Sequence, residues 1–184
     1  MAEGECLFCA IAQGRVPSKK VYDDSDTVAF LDINPRNKGH TLVVPKEHHE
    51  SLMDMPEEKA AEVFKVVKKV AMAAKDAVEA DGINIGQNNG KVAGQVVPHV
   101  HFHVIPRFET DKVKAGAEAL LPPKKLEEAE MNKIAKDIRE NMGTPEPKKE
   151  EPEPVQKKQA EKQTEDETDE DINEKDFGKI DFDF

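Results

Sequence analysis

Val97-Pro98-His99-Val100-His101-Phe102-His103-Val104-Ile105-Pro106 alternates imidazole and apolar side chains. Alternate residues of a strand share a face. Read as one strand, the segment turns His99, His101 and His103 to one side and Val100, Phe102 and Val104 into a core. Three half-buried positions are thus given to the side chain whose pKa lies near neutrality. A single histidine of this kind is usually a satisfied polar residue. Three on one face point to chemistry, and two chemistries fit: imidazole is a common metal ligand, and it is a nucleophile that its neighbours can orient.

Working outward, Gly86 to Gln95 is a loop rich in Gly and Asn. Its glycines let backbone N–H groups approach an anion, and Asn88 and Gln95 offer amide donors, so beside the histidines it reads as a phosphate seat. Ile83 and Ile85 alternate as a strand, and Gly82 stops the helix before it. That helix opens at Pro56, with Glu57 and Glu58 at the positive end of its dipole. Its apolar face reads Ala60, Val63, Phe64, Val67, Val70, Ala71, Ala74 and Val78. Further upstream, His40 to Val44 reads as a strand, Asn34 to Gly39 as a loop, and Thr27 to Leu31 and Val21-Tyr22 as strands joined by a polar turn. Leu7, Phe8 and Ile11 form a short helical stripe that ends near Gly14. A short helix, strands, a long helix and strands again predict an α+β fold with an antiparallel sheet.

Downstream the chain changes character. Residues 124–142 carry Leu126, Ile134 and Ile138, a weaker helix. Residues 143–184 hold 15 acidic and 7 basic side chains, a net charge of −8 out of −11 for the 184-residue chain. A segment built of Glu, Lys, Gln, Pro and Asp cannot bury enough apolar surface to offset its ordering entropy, so a disordered acidic tail is expected. Its tip regains Phe177, Ile180, Phe182 and Phe184. That suits either a docking peptide for a protein partner or a free end. The organisation expected is a domain over 1–115, a helical extension over 116–142 and a tail over 143–184.

The acidic balance argues against nucleic acid as a partner, because phosphates repel it. The first ten residues lack a basic stretch followed by an apolar one, and no apolar run reaches the roughly 18 residues of a membrane span. Two cysteines, Cys6 and Cys9, are too few for a disulfide framework. A soluble, cytoplasmic protein is expected. Cys6-x-x-Cys9 is half of a tetrahedral zinc site. A thioredoxin-like role fits less well, because the pair opens the chain rather than following a strand.

His99-Val100-His101-Phe102-His103-Val104-Ile105-Pro106-Arg107, preceded by Gly94-Gln95, resembles the signature of the histidine-triad (HIT) superfamily of nucleotide hydrolases and transferases. Cys6-Leu7-Phe8-Cys9, Phe30-Leu31-Asp32-Ile33-Asn34-Pro35 and Gly39-His40-Thr41-Leu42-Val43-Val44-Pro45-Lys46 resemble the family in the same order. The likeness runs from about residue 4 to about 110. It implies an antiparallel five-stranded sheet, a short N-terminal and a long central helix, and a homodimer. It implies that His101 attacks the α-phosphorus of an adenosine nucleotide, forming a covalent nucleotidyl-histidine that releases AMP, with no organic cofactor. His103 would contact the phosphate and leaving group, and His40 would support the triad. Asn88, Gly94 and Gln95 would bind phosphate, Asp32 the ribose and Ile33 the base. The resemblance also implies that His48 and His99 complete a structural zinc site with Cys6 and Cys9, with His49 adjacent to His48 as the competing ligand.

One position departs from the pattern. The phosphoramidase branch carries Ser after the loop Gln, whereas this chain has Val96, which cannot donate a hydrogen bond. That argues against lysine-AMP-type phosphoramidates as the preferred substrate and towards dinucleoside polyphosphates. The competing function is a non-catalytic nucleotide sensor whose acidic tail recruits a partner.

Overall fold

Phe102–Arg107 forms β5, which lies between β3 (Thr41–Pro45) and β4 (Gly82–Gln87) in a five-stranded sheet. β1 (Lys20–Asp23) and β2 (Thr27–Leu31) complete it in the order β1-β2-β3-β5-β4, with every pairing antiparallel. Helix α1 covers Leu7–Ala12, α2 Glu57–Ala77 and α3 Glu128–Met142. The computed structural model describes residues 6–111 and 122–143. The expected α+β sheet is the one the chain forms. The expected acidic tail, apart from Gly143, lies outside the described residues.

Register decides what each face of the sheet carries. Phe30 pairs with Leu42, Leu42 with His103, and His103 with Gly86, so these four share a face. Ala29, Val43 and Phe102 share the other. The second face packs on α2 and α3: Val63, Val67, Val70, Met131, Ile134 and Ile138 are buried with Val100, Phe102 and Val104 in one cluster. On the first face Phe8 and Ile11 of α1 are buried against Val28, Phe30, Leu42 and Val44. Helices on both sides explain why every residue of β2 and β3 is buried and why both read as continuous apolar runs.

Local chemistry sets the connections. Asp24 Oδ1 accepts the N–H groups of Asp26 and Thr27, which closes the β1–β2 turn. Gly39 has φ +76°, and a Cβ there would meet Val78 at 3.1 Å and Pro106 at 3.2 Å. Only glycine fits that turn into β3 without strain.

Several elements differ from the sequence reading. The strand expected over 97–106 begins at Phe102. Pro98 has no N–H to give a ladder, and the backbone ahead of Phe102 is bonded elsewhere: Val100 N–H donates to His49 O at 2.7 Å and His99 N–H to Val97 O at 2.8 Å. Of the three histidines, only His103 lies in the strand. The strand expected from His40 begins at Thr41. The central helix ends at Ala77, ahead of Gly82, because Glu79 takes a positive φ of 53°. Val66 and Ala73 join its buried face, while Phe64 stays 51% exposed with its ring edge-on to Phe102. The weaker helix starts at Glu128. Its apolar stripe of Met131, Ile134, Ala135 and Ile138 enters the main core.

Candidate active site and metal centre

The imidazoles fall into two groups that meet at His99 and His101. The first group gathers around α1, which carries Cys9; Cys6 is the residue just before it. Cys6 Sγ lies 3.3 Å and Cys9 Sγ 3.5 Å from His99 Nδ1. His48 Nδ1 lies 3.4 Å from Cys9 Sγ and 3.2 Å from His99 Nδ1. The four ligand atoms all lie within 4.8 Å of one another. Tetrahedral zinc, with bonds of about 2.3 Å to sulfur and about 2.0 Å to nitrogen, requires S···N of about 3.5 Å and N···N of about 3.3 Å. The residues therefore fit zinc in type, number and spacing.

His99 is also held as a ligand should be. Its Nε2–H donates to Pro45 O at 2.9 Å, which leaves the Nδ1 lone pair facing the sulfurs. Burial first, and then its histidine neighbours, lower its pKa to about 4. Between the two histidines that sequence left open, His48 turns into the cluster. His49 Nε2 instead lies 3.7 Å from a Glu47 carboxylate oxygen.

The second group is His101, His103 and His40, with Asp32 beside them. His101 is buried, and its Nδ1–H donates to His99 O at 2.7 Å. The lone pair is therefore on Nε2. Arg36 N–H donates to His40 Nδ1 at 3.1 Å, so neutral His40 carries its proton on Nε2 and donates it to His103 Nδ1 at 3.0 Å. That leaves His103 with a free Nε2–H. Proton positions in the row thus follow from two backbone groups, the amide of Arg36 and the carbonyl of His99.

All three rings titrate low, chiefly because burial disfavours the imidazolium. His40, 2% exposed, is lowered to about 4: burial leads, Asp32 opposes it, and His103 and Arg36 add to it. His103 is lowered to about 4 by burial and His101, against Asp32. His101 is lowered by burial, offset by its bond to His99 O and by Asp32. Neutral at pH 7, His40 forms no ion pair with Asp32, although Nδ1 and Oδ2 lie 3.4 Å apart. Asp32, His40 and His103 also have a metal-like spacing. Both nitrogens of His40 are engaged, however, so this trio suits proton placement better than ligation.

The loop residues take distinct places. Gln95 is 7% exposed and spends its amide internally: Nε2 donates to Glu50 O at 2.7 Å and Val97 O at 3.0 Å, while Oε1 accepts Gly90 N–H at 2.7 Å. The structure makes it the staple that shapes the 90–97 loop. Asn88 Nδ2 donates to Gly94 O at 3.5 Å. Gly94 has φ +89°, a left-handed turn that a side chain would strain. Val96 is 89% and Ile33 84% exposed. Asp32 Oδ1 accepts Asn34 N–H, which aims its carboxylate beside His40.

The HIT domain pattern matches residues 13–110. The chain belongs to the HIT family. An uncharacterized HIT-like protein from Methanocaldococcus jannaschii is 56% identical over 106 residues, which cover 58% of this chain and 81% of that one. The adenosine 5'-monophosphoramidase of Schizosaccharomyces pombe is 43% identical over 102 residues, 55% of this chain and 74% of that enzyme. Among solved structures, a Zn-bound histidine triad family protein from Mycobacterium smegmatis superposes with a TM-score of 0.66 at 36% identity, over 76% of this chain and 94% of that one.

This HIT chain also has supports that the sequence did not reveal. Asp111, at the end of the matched region, accepts from Arg107 Nε at 2.9 Å, Phe108 N–H at 3.0 Å and Asn37 Nδ2 at 2.8 Å. Asn37 is fully buried, and its carbonyl accepts His40 N–H. The loop that carries Asp32 and His40 is thereby anchored to the end of β5. No periodicity marks Asn37 or Asp111; only their partners identify them. A cleft of about 510 Å³ lies elsewhere, between the β1–β2 turn and α2. Lys46, Lys59 and Lys65 in it pair with Asp23, Asp26 and Glu62 at 2.6, 3.0 and 2.6 Å, and it reads as a solvated face.

Proposed function

We propose that this HIT protein hydrolyses adenosine nucleotides at the α-phosphate through a covalent adenylyl-His101 intermediate. The observation that carries the reading is the proton order of the imidazole row: a lone pair on His101 Nε2 beside a donor on His103 Nε2. His101 Nε2 attacks phosphorus, the bond to the leaving group breaks, and His103 donates to a phosphoryl oxygen or to the departing atom. Water then displaces His101 and AMP leaves. One displacement becomes two easier ones. Donors fixed before the reaction cost no reorganisation as charge develops. Asp32 takes the ribose hydroxyls, exposed Ile33 the base, and Asn88 the phosphate, on the loop that Gln95 staples from within.

Zinc, when bound by Cys6, Cys9, His48 and His99, supplies a closed structural cross-link with no open coordination position. The protein works in the cytoplasm, where cysteine thiols stay reduced and can bind zinc. It works as a homodimer. β4 is an edge strand with Ile85 45% exposed, and Phe64 of α2 is half-exposed against neighbouring β5. An uncovered apolar edge of this kind supports pairing of two copies.

Val96 favours a dinucleoside polyphosphate over a phosphoramidate, because it offers no hydroxyl to the leaving group. The test offers purified protein an adenosine phosphoramidate, a dinucleoside polyphosphate and ADP, and follows AMP by chromatography. Fastest release from the dinucleoside polyphosphate is expected. Nucleotide binding without release from any of the three would favour the sensor reading, with the acidic tail recruiting a partner.

A further inference from the structure

Phe8 stands between the two cysteines, at the start of α1, and is 5% exposed. Its ring meets the His101 ring edge-on, with centroids 5.1 Å apart and planes at 74°. It meets His99 at 6.1 Å and Phe30 at 5.7 Å, also edge-on. The candidate metal centre therefore touches the nucleophile twice. His99 offers Nδ1 to the sulfurs and its carbonyl to His101 Nδ1–H. The Cys6–Cys9 segment lays Phe8 against the ring itself. A hydrogen bond at Nδ1 fixes one atom of an imidazole but leaves its tilt free. A ring packed edge-on restricts the tilt. Burying an aromatic ring on a helix of only six residues also needs an anchor, and the two cysteines flank Phe8 closely enough to provide one.

We propose that Phe8 is a positioning residue for His101, and that the Cys6–Cys9–His48–His99 centre acts through it to hold the nucleophilic ring in its attacking orientation. The inference rests on His101 being the nucleophile, and it assigns the metal centre a part in setting the turnover rate. Phe8 is 5% exposed and its ring meets His101 and His99, so its effect through His101 is read in kcat and in the His101 spectrum.

The test compares Phe8→Leu with Phe30→Leu in the zinc-loaded full chain. Both remove a ring from the same apolar cluster, but the rings that meet His101 are those of Phe8 and His103. Zinc content, thermal melting, kcat, KM and the imidazole 15N spectrum of His101 are recorded. For Phe8→Leu we expect retained zinc, a kcat lower by about three- to tenfold, and a His101 spectrum that shifts towards mixed tautomers. For Phe30→Leu we expect a comparable loss of melting temperature with wild-type kcat and spectrum. A wild-type kcat and spectrum in Phe8→Leu would overturn the proposal. So would an equal loss of kcat in both variants, which is the mark of a merely structural role. If the wild type releases no AMP from any nucleotide, the nucleophile reading fails by itself. The His101 spectrum then decides the positioning claim: mixed tautomers in Phe8→Leu support it, and an unchanged spectrum overturns it.

Discussion

The backbone fixes one nitrogen on each of three imidazoles. His99 gives Nε2–H to Pro45, His101 gives Nδ1–H to His99, and His40 takes Arg36 N–H at Nδ1. Their low pKa values have a consequence for stability. His40 and His103 titrate near 4 in the fold against 6.5 in an unfolded chain. Below pH 6.5 the unfolded state binds more protons, so the stability these groups contribute is complete above that pH and is lost as pH falls towards 4. The groups facing them are Asp32, Arg36 and His101, and burial outweighs the attraction of Asp32. The unfolding free energy from urea titration should fall between pH 7 and 5 by an amount on the order of 3 kcal/mol in all. Because burial also lowers His99 and His101, the decisive comparison is His40→Gln, whose acid loss should be smaller. An equal loss in the variant would exclude His40 as a source.

At the scale of elements, the sequence was most legible where one periodicity dominated. The alternation at Val100–Val104 placed Phe102 and Val104 correctly in the core, and steps of three and four placed the buried face of α2. It was least legible where side chains capture the backbone. Nothing in the pattern says that Gln95 folds its amide inward or that Val100 N–H goes to His49, and so the strand was drawn five residues too long. The weakness assigned to α3 was a matter of composition, since few of its residues are apolar. Met131, Ile134, Ala135 and Ile138 face the core, and Ile138 is completely buried. Ile138→Ala should therefore cost about 2–5 kcal/mol of unfolding free energy. Chemical denaturation measures this, and a change within about 0.5 kcal/mol, usual for a surface site, would contradict the packing.

For the whole molecule, the division of charge matters more than its total. The described residues form a five-stranded sheet with helices on both faces, and they bring together the residues proposed for chemistry. The last 42 residues carry a net of −8. Deleting residues 144–184 should leave kcat and KM for the best nucleotide unchanged, as steady-state assays of both forms would show; a large loss of turnover would mean that the tail acts on the site. The candidate site was legible as residue types because imidazoles and cysteines are rare and regularly spaced here. Its proton order was not, since it depends on backbone groups of Arg36, Pro45 and His99 that only the fold supplies. The proposal that His101 attacks rests on that order, and trapping the proposed intermediate tests it most directly. Enzyme mixed with excess dinucleoside polyphosphate is quenched in alkali within milliseconds, digested, and analysed by mass spectrometry. The account predicts an adenylyl group on the peptide bearing His101, with no adduct and no turnover in His101→Asn. Turnover in that variant at the wild-type rate, or an adduct on another residue, would contradict it.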